Sequence, residues 1–115
     1  QYSLPTSADE LAILIFSIIE NIKQKKNIYG TYHFSDHGTP ISWYDFAIEI
    51  LNILNKQGYE TSSINPINTI LSNNIAKRPM YSCLNSEKLQ ATINYMPKNW
   101  KILLGQTVNK IIKNI

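Results

Sequence analysis

The sequence predicts a mixed α/β (α+β) domain in which helices pack on a short sheet. Amphipathic segments with apolar residues at helical spacing alternate with short β-rich segments, in the order α-β-α-β-α-α. The length of 115 residues suits one modest hydrophobic core. No internal repeat or low-complexity linker interrupts this order. We therefore expect residues 1–115 to form one domain, with its sheet completed by residues outside this sequence.

The first helix is predicted from Ser7 to about Lys25. Ser7 and Glu10, three residues apart, match a capping box, in which each side chain bonds the backbone N–H of the other residue. Apolar residues at helical spacing predict a buried stripe of Leu11, Leu14, Ile15, Ile18, Ile19 and Ile22. The apolar stretch from Leu11 to Ile19 is shorter than the roughly 18 residues of a membrane span, so a soluble protein without membrane contact is expected. The single cysteine favours the cytoplasm.

A strand, a turn and a second helix are predicted next. Tyr32 and Phe34 alternate with polar residues as in a strand, and residues 36–40 have turn chemistry. Ser42 is a suitable N-cap for the helix, and Gly58 is placed to end it. The predicted buried face comprises Trp43, Phe46, Ala47, Ile50, Leu51 and Leu54. We expect Trp43 to be packed in the core rather than to form a stacking platform with its aromatic neighbours.

The second half predicts an edge strand, a loop and two helices. Ile64, Ile67 and Ile70 favour a strand that Pro66 restricts to a sheet edge, and residues 71–79 form a polar loop. Asn85 is the expected cap of a short helix containing Leu89 and Ile93, and Asn99 is the expected cap of the last helix. The buried stripe of that last helix comprises Trp100, Leu103, Leu104, Val108, Ile111 and Ile112.

The net charge of +3 is unevenly distributed. Residues 76–115 carry seven basic residues and one acid, whereas residues 1–75 carry four basic residues and seven acids. A basic region can bind a phosphate ligand or nucleic acid, or it can be a solvated helix face. The spacing of Lys98, Lys101, Lys110 and Lys113 favours the solvated face. No predicted helix combines clustered Arg/Lys with exposed aromatics, so no nucleic-acid partner is expected.

Catalytic machinery is not recognisable in the sequence. The four glycines form no glycine-rich phosphate-binding motif, and none of the seven tyrosines has a lysine four residues later. His33 and His37 could bind a metal only with a third ligand, and the sequence spacing does not indicate one. The lone Cys83 can form no internal disulfide, and we expect it to be buried as a small apolar residue. No catalytic residue, metal or cofactor site is therefore expected within the chain.

Three motifs in one order carry a family resemblance. They are Pro5-Thr6-Ser7-Ala8-Asp9-Glu10-Leu11-Ala12, Gly30-Thr31-Tyr32-His33-Phe34-Ser35 with Gly38 and Ser42-Trp43-Tyr44-Asp45-Phe46-Ala47, and Ala76-Lys77-Arg78-Pro79-Met80-Tyr81-Ser82-Cys83-Leu84-Asn85. Together they closely resemble the C-terminal portion of the dTDP-4-dehydrorhamnose reductases, which are extended short-chain dehydrogenase/reductases. The sequence begins within a motif and without an initiator methionine, so we expect a fragment of a longer protein.

The resemblance implies a small helix-rich C-terminal domain that binds the dTDP-sugar substrate. Its partner would be the missing Rossmann half, which binds NADPH or NADH and carries the Tyr-x-x-x-Lys pair. The complete enzyme, for which the resemblance allows a homodimer, would reduce dTDP-4-dehydro-L-rhamnose to dTDP-L-rhamnose, a precursor of cell-surface polysaccharide. The isolated fragment is expected to be inactive and to bind no cofactor.

The resemblance also implies which residues bind substrate. Arg78, in Lys77-Arg78-Pro79, matches the loop arginine that clamps the diphosphate, and Lys77 would add charge. A surface ion pair is the structural alternative for Arg78. Gln1 and Thr6 match a Gln-x-Gly-x-Pro-Thr motif in which Ser3 replaces the glycine, and they either line the site or form a structural turn.

A non-enzymatic alternative remains open at this point. Relatives of these reductases serve as regulatory subunits of methionine adenosyltransferase, where the same fold binds a partner protein. An intact Tyr-x-x-x-Lys motif upstream of Gln1 would favour the enzyme.

Overall fold

The computed structural model of the chain describes residues 1–67 and 78–114. In this part of the chain the elements follow the order β1 (Tyr2–Ser3), α1 (Ala8–Lys23), β2 (Ile41–Ser42), α2 (Trp43–Lys56), α3 (Glu87–Ile93) and α4 (Trp100–Ile112). The predicted mixed class of helices with a small sheet is confirmed. The predicted element order is wrong in its strands, which lie before α1 and directly before α2.

Side-chain caps fix the helix starts. Ser7 and Ser42 each accept a hydrogen bond from the backbone N–H three residues later, at 3.4 and 3.1 Å, and Asn99 accepts one from the N–H two residues later, at 2.9 Å. These three predicted caps are confirmed, and each such cap contributes about 1 kcal/mol. Asn85 accepts the N–H of Glu87 at 2.8 Å, although it lies one position before the N-cap residue of α3.

The glycine after α2 also has its predicted role. Gly58 has φ +85°, in the left-handed region that glycine adopts without strain, and its N–H bonds the Asn55 carbonyl at 3.0 Å. The chain therefore leaves α2 at the predicted point.

The sheet is short and antiparallel. Tyr2 pairs with Ser42 and Ser3 with Ile41. Pro5 follows β1 and Pro40 precedes β2, so neither strand extends far, because proline has no N–H for a strand ladder.

The two strands predicted from local patterns are not formed in the described residues. Tyr32 and Phe34 are half-buried while Thr31 and His33 are exposed, which is the predicted alternation, but no described segment pairs with them. Residues 64–67 contain no strand, and Ile70 lies outside the described residues, as does most of the predicted loop at 71–79. Alternation alone predicts which side chains point inward and does not supply a pairing partner.

The core is centred on α4. Trp100 is only 2 % exposed and meets the ring of Phe46 edge-on, with centroids 5.9 Å apart, where α2 packs on α4. The indole N–H of Trp100 donates to the Thr39 carbonyl at 2.9 Å. In the described part of the chain the buried apolar residues are Leu14, Leu89, Trp100, Leu103 and Val108. The predicted burial of Trp100 is confirmed.

The stripe predicted on α1 is only partly buried. Leu14 is buried and Ile18 and Ile22 are half-buried, whereas Leu11, Ile15 and Ile19 are exposed. The prediction for the last three residues is wrong because α1 packs on α3 along one narrow line, and no described element covers its other side.

The capping box on α1 also predicted a hydrogen bond from the Ser7 backbone N–H to the Glu10 carboxylate. This prediction is wrong. Glu10 is buried, and its carboxylate faces the chain segment between α3 and α4 instead of the Ser7 backbone. Among the described residues, no helix is both long and apolar enough to span a membrane.

Candidate functional site

Three segments that are distant in sequence meet at Tyr2. The Tyr2 N–H donates to the Met80 carbonyl at 2.7 Å, and the Tyr2 carbonyl accepts the N–H of Ser82 at 2.9 Å. On its other edge Tyr2 pairs with Ser42. β1 therefore lies between β2, which belongs to the second motif region, and residues 80–82, which belong to the third, and the chain leads from β1 directly into the first.

Arg78 lies at the entrance to this junction. It is exposed and precedes Pro79 and Met80, whose carbonyl is held by Tyr2. Proline restricts the backbone of the residue before it, so the chain carrying the guanidinium is stiffened on one side. Lys77, the other predicted cation, lies outside the described residues.

Gln1 and Thr6 lie at opposite ends of the β1 segment. Gln1 is half-buried directly before β1 and shares the junction with the Arg78 segment. Thr6 is exposed in the connection to α1, and its hydroxyl donates to the Leu4 carbonyl at 3.4 Å. Thr6 therefore forms a local turn contact, and it also lines a groove beside the junction.

This groove has a volume of about 190 Å³ and opens beside β1 and β2. It is lined by Ser3, Pro5, Thr6, Ile41, Ser42, Trp43 and Phe46.

Trp43 is 65 % exposed, so its predicted place in the core is wrong. Trp43 is the first residue of α2, and its ring meets Phe46 edge-on while the remaining surface faces solvent. Trp43 directly follows the N-cap residue, and this position at the helix end was the sequence signal that its side chain lies outside the buried face.

The exposure of two tyrosines and a methionine at the junction was not predicted from the sequence. Tyr2, Met80 and Tyr81 are all exposed there. A hydrogen bond with the Cys83 side chain raises the pKa of the Tyr81 phenol. Cys83 itself is half-buried and free, so its predicted burial is only partial. The junction thus combines a cation with flat apolar surfaces and a neutral phenol.

A buried carboxylate supports the connection that carries Thr6. Asp36 is 1 % exposed, and its Oδ2 accepts the N–H of Ser7 at 2.7 Å. Burial raises the pKa of Asp36, and the Ser7 hydrogen bond opposes that shift. Within the described residues Oδ1 of Asp36 has no hydrogen-bond partner. Asp36 therefore positions the start of α1, and with it the loop from β1.

The remaining candidates carry no ligand chemistry in the described part of the chain. His33 and His37 are both exposed, and the described residues contain no group of three or more metal-ligating side chains. Lys98, Lys101 and Lys110 pair with Glu10, Glu49 and Asp9 at 2.7–3.0 Å and stay more than half exposed. The predicted solvated basic face is confirmed for these three lysines.

Comparison with known families agrees with the motif analysis. The family described as the RmlD substrate binding domain matches residues 1–113. The chain belongs to this family. The resemblance inferred from the three motifs is therefore confirmed.

Several curated relatives in this family are named dTDP-4-dehydrorhamnose reductase. The one from Aggregatibacter actinomycetemcomitans is 36% identical over 101 residues, covering 84% of this chain and 34% of the relative. The one from Escherichia coli (strain K12) is 28% identical over 113 residues, covering 96% of this chain and 38% of the relative. The one from Salmonella typhimurium is 30% identical over 104 residues, covering 89% and 34%. The chain thus spans about a third of the length of these relatives.

Proposed function

We propose that residues 1–115 form one domain that binds the dTDP-sugar of a dTDP-4-dehydrorhamnose reductase, a cytoplasmic enzyme that makes dTDP-L-rhamnose. The observation that carries the proposal is the membership of residues 1–113 in the RmlD substrate-binding family. The junction at Tyr2 supports it, because segments of the second and third motif regions meet there, close in sequence to the exposed Arg78 and with Tyr2 and Tyr81 exposed.

Arg78 is the residue proposed to hold the diphosphate. A guanidinium presents a planar fork of N–H donors that bonds two phosphate oxygens at once. Arg78 is exposed, and its neighbour Met80 is fixed to β1 by a 2.7 Å backbone bond, so the charge is presented from a defined backbone. Lys77 would add a second positive charge. Gln1, beside the same junction, would bond a polar group of the ligand, and Thr6 would do so from the groove.

Substrate binding by this domain would serve catalysis through positioning. A diphosphate held at one end fixes the distance and direction of the sugar, which lowers the entropic part of the barrier to reaction at its carbonyl. The groove beside Trp43 offers a flat apolar wall to a sugar or base.

The residues of this chain do not fit a dinucleotide cofactor. Neither Pro5-Thr6-Ser7 before α1 nor Ile41-Ser42 before α2 is a glycine-rich turn of the kind that cradles a pyrophosphate. The Tyr-x-x-x-Lys pair is also absent from the sequence. We therefore assign NADPH or NADH binding and hydride transfer to the part of the reductase outside this chain, and propose that the chain alone is inactive. Cofactor oxidation by the chain alone with dTDP-4-dehydrorhamnose, above background, would refute that.

The proposal is tested by Arg78→Ala in a full-length reductase that carries this chain. Loss of a charge-assisted hydrogen-bonded pair costs about 1.5–3 kcal/mol, so the affinity for the dTDP-sugar should fall about 10- to 100-fold. Affinity for the nicotinamide cofactor should stay at the wild-type value. Arg78→Lys should restore part of the loss, because lysine supplies the charge without the fork. Isothermal titration with each ligand measures these affinities.

Lys113→Ala is the matched control, since Lys113 is an exposed cation at the far end of α4. It should leave the affinity for the dTDP-sugar unchanged. If Arg78→Ala lowers only the melting temperature and leaves sugar affinity at the wild-type value, Arg78 is structural and the diphosphate is held elsewhere.

A further inference from the structure

We propose that the groove beside Trp43 is the subsite for the sugar ring of the dTDP-sugar, in which Trp43 stacks on the ring and Ser3 bonds one of its hydroxyl groups. The inference rests on the proposed function for the identity of the ligand. It goes further because it decides which part of that ligand, the sugar or the base, occupies the groove. The decision follows from the charge, the size, the shape and the hydrogen-bonding groups of the groove.

The groove suits an uncharged part of the ligand. None of the described residues that line it carries a charged side chain, and Arg78 is not one of them. A diphosphate in the groove would lose its hydration without gaining a positively charged partner, which is unfavourable. The diphosphate is therefore excluded from the groove, in agreement with its proposed place at Arg78.

The size of the groove corresponds to one ring. Its volume is about 190 Å³. For comparison, a protein cavity of about 150 Å³ holds one benzene ring. A six-membered ring with small substituents therefore fills the groove, whereas a nucleoside, which joins a base to a pentose, exceeds it. By size alone, either the sugar ring or the thymine ring fits.

The shape of the apolar surface favours the sugar. The rings of Trp43 and Phe46 both line the groove, and they are nearly perpendicular, at 83°, with centroids 6.5 Å apart. Two perpendicular rings form a corner with two apolar walls. A rhamnose-type sugar is a puckered ring with C–H groups on its face and a methyl group at its edge, so it presents apolar groups to both walls. A planar base that stacks on one wall turns its polar edge towards the other.

The exposure of Trp43 suits a residue that stacks on a ligand. Its side chain is 65 % exposed, so most of its apolar surface is still available for burial. Trp43 is the first residue of α2 and directly follows Ser42, whose side chain caps the helix at 3.1 Å. The backbone that carries the ring is thus fixed, and a ligand can cover the ring without a rearrangement of the core.

The hydroxyl group of Ser3 supplies the polar contact. Ser3, Thr6 and Ser42 all line the groove. The Ser42 hydroxyl donates to Oδ2 of Asp45 at 2.6 Å, and the Thr6 hydroxyl donates to the Leu4 carbonyl at 3.4 Å. Within the described part of the chain, this leaves the Ser3 hydroxyl as the one in the groove that can still donate. A hydroxyl that both donates and accepts matches the hydroxyl groups of a sugar.

The test compares dTDP-L-rhamnose with dTDP, because the difference between their affinities measures the contribution of the sugar. In a full-length reductase that carries this chain, Trp43→Ala should weaken binding of dTDP-L-rhamnose about 5- to 10-fold, the loss expected when about 50 Å² of apolar surface is no longer buried. The affinity for dTDP should stay at the wild-type value. Trp43→Phe should keep most of the affinity for dTDP-L-rhamnose, since phenylalanine retains an aromatic face. Isothermal titration measures both ligands.

Tyr59→Ala is the matched control. Tyr59 is also an exposed aromatic residue, at 48 %, and it lies beyond the opposite end of α2 from Trp43. Its replacement should leave both affinities at the wild-type value. An equal loss of affinity for dTDP and dTDP-L-rhamnose in Trp43→Ala would place the base in the groove, and no loss for either ligand would remove the groove from the site. Either result overturns the proposal.

Ser3→Ala tests the hydrogen bond. It should weaken binding of dTDP-L-rhamnose about 2- to 10-fold, the range for one neutral hydrogen bond, and leave the affinity for dTDP unchanged. Ser3→Thr keeps the hydroxyl group and should bind dTDP-L-rhamnose more tightly than Ser3→Ala. The backbone pairing of Ser3 with Ile41 does not need the side chain, so both variants should fold like the wild type. A wild-type affinity of Ser3→Ala for dTDP-L-rhamnose would refute the role of Ser3.

The same titrations separate this inference from the proposed function. Arg78→Ala should weaken the binding of dTDP and of dTDP-L-rhamnose to the same extent, because both carry the diphosphate. If Arg78→Ala leaves both affinities unchanged while Trp43→Ala weakens dTDP-L-rhamnose alone, the diphosphate assignment fails and the sugar subsite stands. If Arg78→Ala weakens both ligands and Trp43→Ala weakens neither, the proposed function stands and the sugar subsite is refuted.

Discussion

The hydroxyl of Tyr95 donates a 2.6 Å hydrogen bond to Oε2 of Glu10, and the other oxygen of Glu10 accepts the Lys98 ammonium at 2.7 Å. Glu10 lies in the first turn of α1 and is 3 % exposed, whereas Tyr95 and Lys98 lie between α3 and α4. The bonds from Lys98 and Tyr95 lower the pKa of Glu10 despite its burial. Burial and the bond to Glu10 raise the pKa of Tyr95. One carboxylate thus fastens α1 to the segment that enters α4.

Glu10→Gln should lower the free energy of unfolding at pH 7 by about 1.5–3 kcal/mol, the range for a hydrogen bond to a charged group. The amide keeps the size of the side chain but removes the charge and one acceptor. Urea denaturation followed by circular dichroism measures the change. Glu20→Gln removes an exposed partner of Lys23 on the same helix and should cost less than about 0.5 kcal/mol. Equal effects of the two substitutions would show that the buried contacts of Glu10 add nothing.

The contribution of Glu10 should depend on pH in a defined direction. Because folding lowers its pKa from 4.5, the stabilisation is complete above pH 4.5 and is lost as the pH falls through the folded value. The stability difference between wild type and Glu10→Gln should therefore shrink in acid. Burial raises the pKa of Asp36, so its contribution is instead lost as the pH rises. The Glu10 charge adds to that upward shift, so Glu10→Gln should make it smaller. A difference that stays constant from pH 7 to pH 3 would contradict this assignment.

Structural features that depend only on residues close in sequence, such as helix caps, were predicted well. A cap needs only a polar side chain and an N–H two or three positions later, so Ser7, Ser42 and Asn99 were identified correctly. Pairing between Tyr2 and both Ser42 and Tyr81 could not be predicted in this way, because it is decided by tertiary packing. The strand expected at residues 31–34 has the right alternation and lacks a described partner for the same reason.

The candidate site was predicted only in part. The resemblance named Arg78 and Gln1 as substrate-binding residues, and the backbone bonds at Tyr2 bring their segments together. Their role in substrate binding stays a prediction. The burial of Trp43 was predicted wrongly, because apolar periodicity assigns every apolar residue on one helix face to the core. Trp43 is the first residue of α2, and no described neighbouring element packs over that end of the helix. Glu10 was misassigned because a capping box and a buried ion pair have the same local sequence pattern.

The two tryptophans should respond differently to truncation. Trp100→Ala should cost about 3–5 kcal/mol, because it leaves a cavity against Phe46 and removes the bond to Thr39. Trp43→Ala should change stability by less than about 1 kcal/mol, since most of its ring is already in solvent. Thermal denaturation of the two variants compares them directly. A larger destabilisation from Trp43→Ala than from Trp100→Ala would show that α2 begins inside the core.

The two glycines near and within α4 should also respond in opposite directions to alanine. Gly38 has φ +139°, and a Cβ there would lie 2.7 Å from Cδ1 and 2.9 Å from Nε1 of Trp100. Because Trp100 is buried and hydrogen-bonded, it has no room to move, and the backbone conformation is unfavourable for any residue with a Cβ. Gly38→Ala should therefore destabilise the domain by about 1–3 kcal/mol or more.

Gly105→Ala is the control for the same substitution. Gly105 lies in the interior of α4, and apart from the adjoining helix backbone no atom lies within 4 Å of its added Cβ. Alanine there should stabilise the domain by about 0.5–1 kcal/mol, because it removes the backbone entropy cost of glycine in a helix. Urea midpoints at constant denaturant slope would show the two changes as shifts in opposite directions. Stabilisation by Gly38→Ala would mean that the turn before β2 does not lie against Trp100, and the packing of α4 would then have to be redrawn.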